Sequence, residues 1–322
     1  MSTNPAQPME RSTATAAADP ELAADDRQWL GPRYRLVRRL ADGAMGAVWQ
    51  GEDQLLGLRV AIKMLHPRKN ASDVEWAYLQ QRLSREARIM ATLHHRAIVR
   101  ALDVGVTSSG EPYLVLEFLR GKSLDRLLAG GRRVAPLRAV QLMLPIAEGL
   151  ATIHSLGVVH RDVKPENVFV AWEPVRQVRP KLIDFGVAKM MDPFRREQLT
   201  GAGVIGTPGY MAPEQTLDSS DVDGRADMWS FCVVLYEMLC GHLPFPGRTC
   251  TNVLRAVLEH DVPPLTKMID LDPELWSAIE RGLQPERDKR WETMRSLAAT
   301  LRSWNDSQTG STSGVRKKQL GA

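Results

Sequence analysis

The chain of 322 residues is 43% hydrophobic and 25% charged, with a formal net charge of +4. This is the composition of an ordinary globular protein of one large or two small domains, and it excludes a wholly disordered, collagen-like or disulfide-dense chain. No Lys/Arg run is dense enough to suggest a nucleic-acid partner, and the longest apolar run, around Val233–Leu239, is too short for a membrane span and carries Glu237.

Residues 1–30 are rich in Ala, Ser, Thr, Pro and acid, without helical or strand periodicity, and read as a disordered tail. They contain no apolar core of a secretory signal. Cys232, Cys240 and Cys250 are odd in number and lack C-x-x-C spacing, which fits reduced thiols and a cytoplasmic location. From residue 31 the folded part begins. Tyr34–Leu40, Ala47–Glu52 and Leu58–Leu65 read as short strands separated by Gly/Asp-rich turns. A helix is expected from about Val74 to Leu93, followed by strands over Ala101–Thr107 and Pro112–Leu119 joined through Ser108-Ser109-Gly110. Val140, Met143, Leu144, Ala147, Leu150 and Ile153 then follow a helical period, with Pro145 expected to kink that helix or mark a boundary. Asp227–Cys240 is apolar nearly all round and reads as a buried helix. A strand-rich lobe, about 31–119, thus precedes a helix-rich lobe, about 120–304, which is an α+β pattern with a cleft suited to a ligand. Residues 305–322 end in Arg316-Lys317-Lys318 and read as a flexible basic tail.

The chemistry-bearing residues cluster. Asp162 and Asn167 share one short polar loop, and Asp184 follows the apolar pair Leu182-Ile183. A divalent cation such as Mg²⁺ prefers oxygen ligands and needs few from the protein when phosphates and water complete its shell. One carboxylate and one amide suffice for that, leaving a second carboxylate to orient a hydroxyl and take its proton. Upstream, Leu79, Leu83, Glu86 and Met90 recur on one helical face, so Glu86 lies on an inward side and requires a cation. Gly43 and Gly46 allow a backbone to approach phosphate closely. A strand rather than a helix follows them, which argues against a dinucleotide fingerprint.

His160-Arg161-Asp162-Val163-Lys164-Pro165-Glu166-Asn167, then Asp184-Phe185-Gly186, then Ala212-Pro213-Glu214 resemble, in that order, the signature of the eukaryotic-like (Hanks-type) serine/threonine protein kinases. Met45 in the glycine loop and Gln215 resemble the bacterial members. The resemblance covers about Tyr34 to Leu301. It implies a two-lobed protein-kinase fold, with an antiparallel β amino-terminal lobe carrying one main helix and a mostly helical carboxy-terminal lobe. It implies ATP and Mg²⁺, with Mn²⁺ as the alternative ion, protein substrates, autophosphorylation and a place in signal transduction. By the same resemblance Asp162 is the base, Lys164 stabilises the γ-phosphate, and Asn167 and Asp184 hold the metal. Lys63, in Val60-Ala61-Ile62-Lys63, reaches the α- and β-phosphates and pairs with Glu86. Leu40, Ala41, Asp42, Gly43, Ala44, Met45, Gly46, Ala47 and Val48 cover the phosphates. Ala41 departs from the family, which has glycine there, and an altered nucleotide affinity is expected from it. Leu116 corresponds to the gatekeeper, Glu117 and Leu119 to the adenine-bonding hinge, and Val48, Ala61 and Phe169 to the residues that sandwich the ring. Lys164 with Thr207 points to the serine/threonine branch, Thr207 bridging Asp162 and Lys164. Arg161 corresponds to a phosphate-binding arginine, for which Thr200 is the loop acceptor. Glu214 and Arg290 match a buried ion pair, although Pro285 sits out of the usual register. Two other readings stand beside this one: a pseudokinase signalling scaffold, suggested by Ala41, and a small-molecule kinase, opposed by Gly206–Glu214. The oligomeric state is left open.

Overall fold

The computed structural model describes residues 29–43, 46–65, 90, 93–173, 177–184, 208–217, 222–245, 250–259 and 262–318. Strands β1 (Trp29–Leu30), β2 (Tyr34–Gly43), β3 (Gly46–Asp53), β4 (Leu58–Leu65), β5 (Ala101–Val106) and β6 (Pro112–Glu117) form one antiparallel sheet in the order β1-β2-β3-β4-β6-β5. β1 lies within the stretch read from sequence as tail, because Trp29 and Leu30 pair with Arg35 and Tyr34.

Side chains alternate across a strand, so this sheet has two faces of different character. On one, Leu36, Val60, Ile62, Met64, Tyr113 and Val115 pack with Tyr34 into a small core. The Tyr34 and Tyr113 rings meet edge to face at 6.3 Å. A Cβ on Gly51 would come within 2.5 Å of Ile62 Cδ1, so a larger residue there would require the Ile62 side chain to shift. The other face is set by register: Val48 lies opposite Lys63, Lys63 opposite Leu114, and Ala61 opposite Leu116. The period of two thus puts Val48, Ala61, Lys63 and Leu116 on a shared surface away from the small core.

The second lobe holds α1 (Leu124–Leu128), α2 (Pro136–Ser155), α3 (Pro213–Leu217), α4 (Gly224–Cys240), α5 (Cys250–Glu259), α6 (Pro273–Gly282) and α7 (Met294–Lys318). A small sheet, β7 (Gly121–Ser123), β8 (Val168–Trp172) and β9 (Val178–Leu182), lies with it in the order β7-β8-β9. α4 is the centre of the core. Trp229, Phe231, Val233, Val234, Leu235 and Met238 have no exposed surface. Asp223 caps its first turn by accepting from Arg225 N–H at 2.8 Å, and Gly241 ends it at φ +85°.

α2 is one helix that runs through Pro145 with no boundary there. Met143, Ile146 and Ala147 on either side are fully buried, and their packing outweighs the roughly 3 kcal/mol that an interior proline costs. α7 carries helical backbone to Lys318, past residue 305 where the sequence reads as a flexible tail. Extending a helix already nucleated on the core adds one hydrogen bond per residue fixed, without a new nucleus. The helix expected over Val74–Leu93 lies outside the described residues except at its end, where Met90 and Leu93 are buried. Among the described residues, no helix is long and apolar enough to cross a membrane.

Backbone pairing joins the lobes. Val99 N–H donates to the Leu182 carbonyl at 2.9 Å and Leu182 N–H to that of Ala97 at 2.8 Å. Beside this bridge, Lys181 Nζ reaches Glu117 Oε1 at 2.6 Å and the Ile98 carbonyl at 3.3 Å.

Candidate active site

The polar loop between α2 and β8 is held from below by Asp227, in the first turn of α4. Asp227 has no exposed surface. Its Oδ2 accepts from His154 Nε2 at 2.7 Å and from His160 N–H at 2.8 Å, and its Oδ1 accepts from Arg161 N–H at 2.6 Å. Burial opposes its ionisation. The His154 hydrogen bond, the charges of His154 and His160 and the His160 amide together outweigh burial and hold the carboxyl below the usual range. These bonds keep Arg161 at φ +63°, the one left-handed non-glycine residue among those described. Such a conformation costs about 1–3 kcal/mol and persists only where its surroundings over-determine it.

A depressed folded-state pKa contributes stability that is present above the unfolded carboxyl value and is lost as pH falls toward the folded value. Acid unfolding is therefore expected to steepen below about pH 4, and Asp227→Asn to flatten that dependence while lowering stability at neutral pH. Tryptophan fluorescence against pH checks this; an unchanged acid limb in the variant contradicts it.

Within the loop, Pro165–Asn167 forms a single 3-10 turn, with proline at its first position, that turns Asn167 back on Asp162. Asn167 Nδ2 donates to the Asp162 carbonyl at 2.8 Å and to Asp162 Oδ2 at 2.9 Å. Lys164 Nζ lies 3.5 Å from the same Oδ2. A second cluster meets this one from β9. Ile183 N–H donates to the Asn167 carbonyl at 3.0 Å, and the next residue, Asp184, accepts from Lys63 Nζ at 2.7 Å through Oδ1. Asp162, Lys164, Asn167, Asp184 and Lys63 are thus brought together from three stretches of the chain: the loop with its 3-10 turn, the segment just after β9, and β4.

Asn167 spends its amide nitrogen on Asp162, which leaves its oxygen end for a cation. Asp184 offers a second carboxylate oxygen beside the one facing Lys63. One amide and one carboxylate oxygen form a hard donor set that suits Mg²⁺ or Mn²⁺ rather than a soft metal.

Above these groups lies the sheet face with Val48, Ala61 and Leu116. Phe169 in β8 pairs with Ser123 and Lys181, and Glu117 ends β6. Leu119 is partly buried against the large core. In the β2–β3 hairpin, Ala41 lies opposite Val48, Asp42 opposite Ala47 and Gly43 opposite Gly46, with Leu40 exposed. Ala41 has no positive φ, so its methyl group carries no backbone strain. Ala44, Met45, Glu86, Thr200 and Thr207 lie outside the described residues, as does the expected Lys63–Glu86 pair.

The Glu214–Arg290 pair forms. Arg290 donates to Glu214 Oε1 at 2.7 Å and Oε2 at 2.9 Å, and Pro285, whose register is unusual, supplies a carbonyl acceptor at 3.0 Å. Asp227, His154 and the Lys181–Glu117 link were not singled out from sequence. A signal for Asp227 exists: a carboxylate opening an otherwise apolar helix requires partners.

Comparison with known proteins supplies a frame for this geometry. The family model of the protein kinase domain matches residues 34–305. The chain is 37% identical over 302 residues to serine/threonine-protein kinase pkn2 of Myxococcus xanthus, covering 91% of this chain and 35% of that protein. It is 34% identical over 278 residues to serine/threonine-protein kinase PknB of Mycolicibacterium smegmatis, covering 85% of this chain and 43% of the relative. The chain therefore spans well under half the length of these curated relatives. The crystal structure of the Mycobacterium tuberculosis PknI kinase domain, a double mutant, matches with a TM-score of 0.65 at 22% identity, over 88% of this chain and 99% of that one. That likeness bears on the fold, and it agrees with the two-lobed α+β arrangement described above.

Proposed function

Because the chain belongs to the protein kinase family, we propose that it transfers the γ-phosphate of ATP to Ser or Thr hydroxyls of protein substrates, itself included. The observation that carries this reading is the hydrogen bond from Ile183 to Asn167, which sets the Asp162 cluster beside the Asp184–Lys63 pair. Neither cluster alone serves phosphoryl transfer. Together they offer a base, a metal-binding pair and cations for phosphate charge.

In this reading Asp162 orients the attacking hydroxyl and accepts its proton. Asn167 amide recognition of Asp162 Oδ2 fixes the carboxylate in place. Lys164 stands beside it and offsets negative charge on the transferred group. Asn167 and Asp184 would hold Mg²⁺, which when bound neutralises phosphate charge. Lys63, supported by Glu86, binds the α- and β-phosphates. Leu40 to Val48 cover the phosphates, Val48, Ala61 and Phe169 flank the adenine beneath Leu116, and backbone groups of Glu117 and Leu119 bond it. Thr207 bridges Asp162 and Lys164. The domain extends from about residue 31 to 304, and reduced thiols fit a cytoplasmic setting. Burial pushes the thiol of Cys232 up to about 12, which leaves it unreactive.

Transfer of label from γ-labelled ATP to the protein itself or to a generic basic protein tests the function. Transfer that requires Mg²⁺ is expected; its absence under all conditions contradicts the reading. Arg161 is proposed to bind a phosphate on Thr200. Mass spectrometry after incubation with Mg-ATP should then find phosphate on Thr200. An active enzyme with none between Val187 and Met211 refutes this.

A further inference from the structure

The roles proposed above leave unexplained the side chain of Gln215, in α3. Its Oε1 accepts from Ala212 N–H at 3.0 Å, and its Nε2 donates to the Arg161 carbonyl at 3.1 Å. Its own N–H donates to the Ala212 carbonyl at 3.0 Å, so Ala212 holds both the backbone and the side chain of Gln215. The remaining end of the amide is thereby aimed at Arg161.

The Arg161 carbonyl belongs to the peptide bond that leads into Asp162. The N–H of that same peptide donates to His160 Nδ1 at 3.3 Å. Arg161 is the residue at φ +63°, and its own N–H is held by Asp227. The left-handed residue is therefore pinned on both sides: by Asp227 from α4 at its nitrogen and by Gln215 from α3 at its carbonyl. A carboxamide carries a donor and an acceptor on one plane, and this site uses both. An ionised glutamate offers acceptors only, and methionine neither bond.

We propose that Gln215 is a positioning residue that fixes the Arg161–Asp162 peptide plane, and with it the aim of the Asp162 carboxylate. It does so from the segment 208–217, so that the segment carrying Ala212-Pro213-Glu214 and the loop carrying the base are set together. This inference rests on the phosphotransferase reading.

The test compares the full chain with Gln215→Met and Gln215→Glu variants, measuring transfer from γ-labelled Mg-ATP to a generic basic protein. In both variants kcat is expected to fall by about 10–100-fold, the scale of a small misplacement of a reacting group, while KM for ATP stays within about twofold. The ratio of Gln215→Glu to wild-type kcat is expected to rise as pH is lowered, because a protonated carboxyl regains a donor for the Arg161 carbonyl. The Gln215→Met ratio should stay flat. A kcat within about twofold of wild type in either folded variant, or a loss confined to KM for ATP, overturns the proposal. Gln215→Glu keeps the Ala212 bond and hence the start of α3, so it decides the matter where Gln215→Met does not fold. A wild-type chain that transfers no label refutes the kinase reading instead.

Discussion

An Asp162→Asn variant is expected to keep the fold and lose about 10²–10⁴-fold in turnover, the usual contribution of a positioned general base. The substitution preserves size, and an amide oxygen can still accept from Asn167 Nδ2, which lies 2.9 Å from Asp162 Oδ2 in the wild type. What it removes is basicity beside Lys164, which approaches the same oxygen at 3.5 Å. The loss should therefore fall on kcat, with KM for ATP little changed, since Asp162 is not among the residues proposed to contact the nucleotide. Steady-state kinetics on the purified variant make the comparison, with circular dichroism to confirm the fold. Turnover within about threefold of wild type would place the base elsewhere.

The largest structural effect is expected at Arg290. Its guanidinium is fully buried and all five N–H donors are engaged: Nε with the Gln284 carbonyl, Nη1 with Glu214 and the Arg225 carbonyl, Nη2 with Glu214 and the Pro285 carbonyl. The group also lies 5.1 Å over the Trp229 ring, in the second turn of α4. Arg290→Ala strands the Glu214 carboxylate and three backbone carbonyls in a low-dielectric interior. Breaking one side of such a pair costs about 3–5 kcal/mol, because the remaining charge stays desolvated without its counter-ion. Urea unfolding should show the midpoint fall with little change in slope. A loss below about 1 kcal/mol would mean that the pair is solvated in the native state.

The strand positions of the first lobe and the buried helix were legible in the sequence because local periodicity and core packing agree there. β4 keeps the bounds expected of it, and the apolar run over Asp227–Cys240 becomes the fully buried α4. The site residues in loops were legible for a different reason, namely that phosphoryl transfer restricts which side chains can serve. Pro145 marks no helix boundary because tertiary packing on both sides of it overrides a local penalty. Asp227 was hidden for a related reason: a residue read as part of an apolar helix turns out to hold the loop above it. The function of Gln215 and of the Lys181–Glu117 link depends on contacts 54 and 64 residues apart in the chain, and no local pattern encodes those. The left-handed backbone at Arg161 was equally silent, since arginine has no intrinsic preference for it.

The most direct test of the central claim is to identify which amino acid carries label after the chain is incubated with γ-labelled Mg-ATP and a basic protein substrate, beside the Asp162→Asn variant. Label on phosphoserine or phosphothreonine in the wild type, and its near absence in the variant, is the predicted result. Label on tyrosine alone, release of free phosphate without any protein-bound label, or equal labelling by the variant would contradict it.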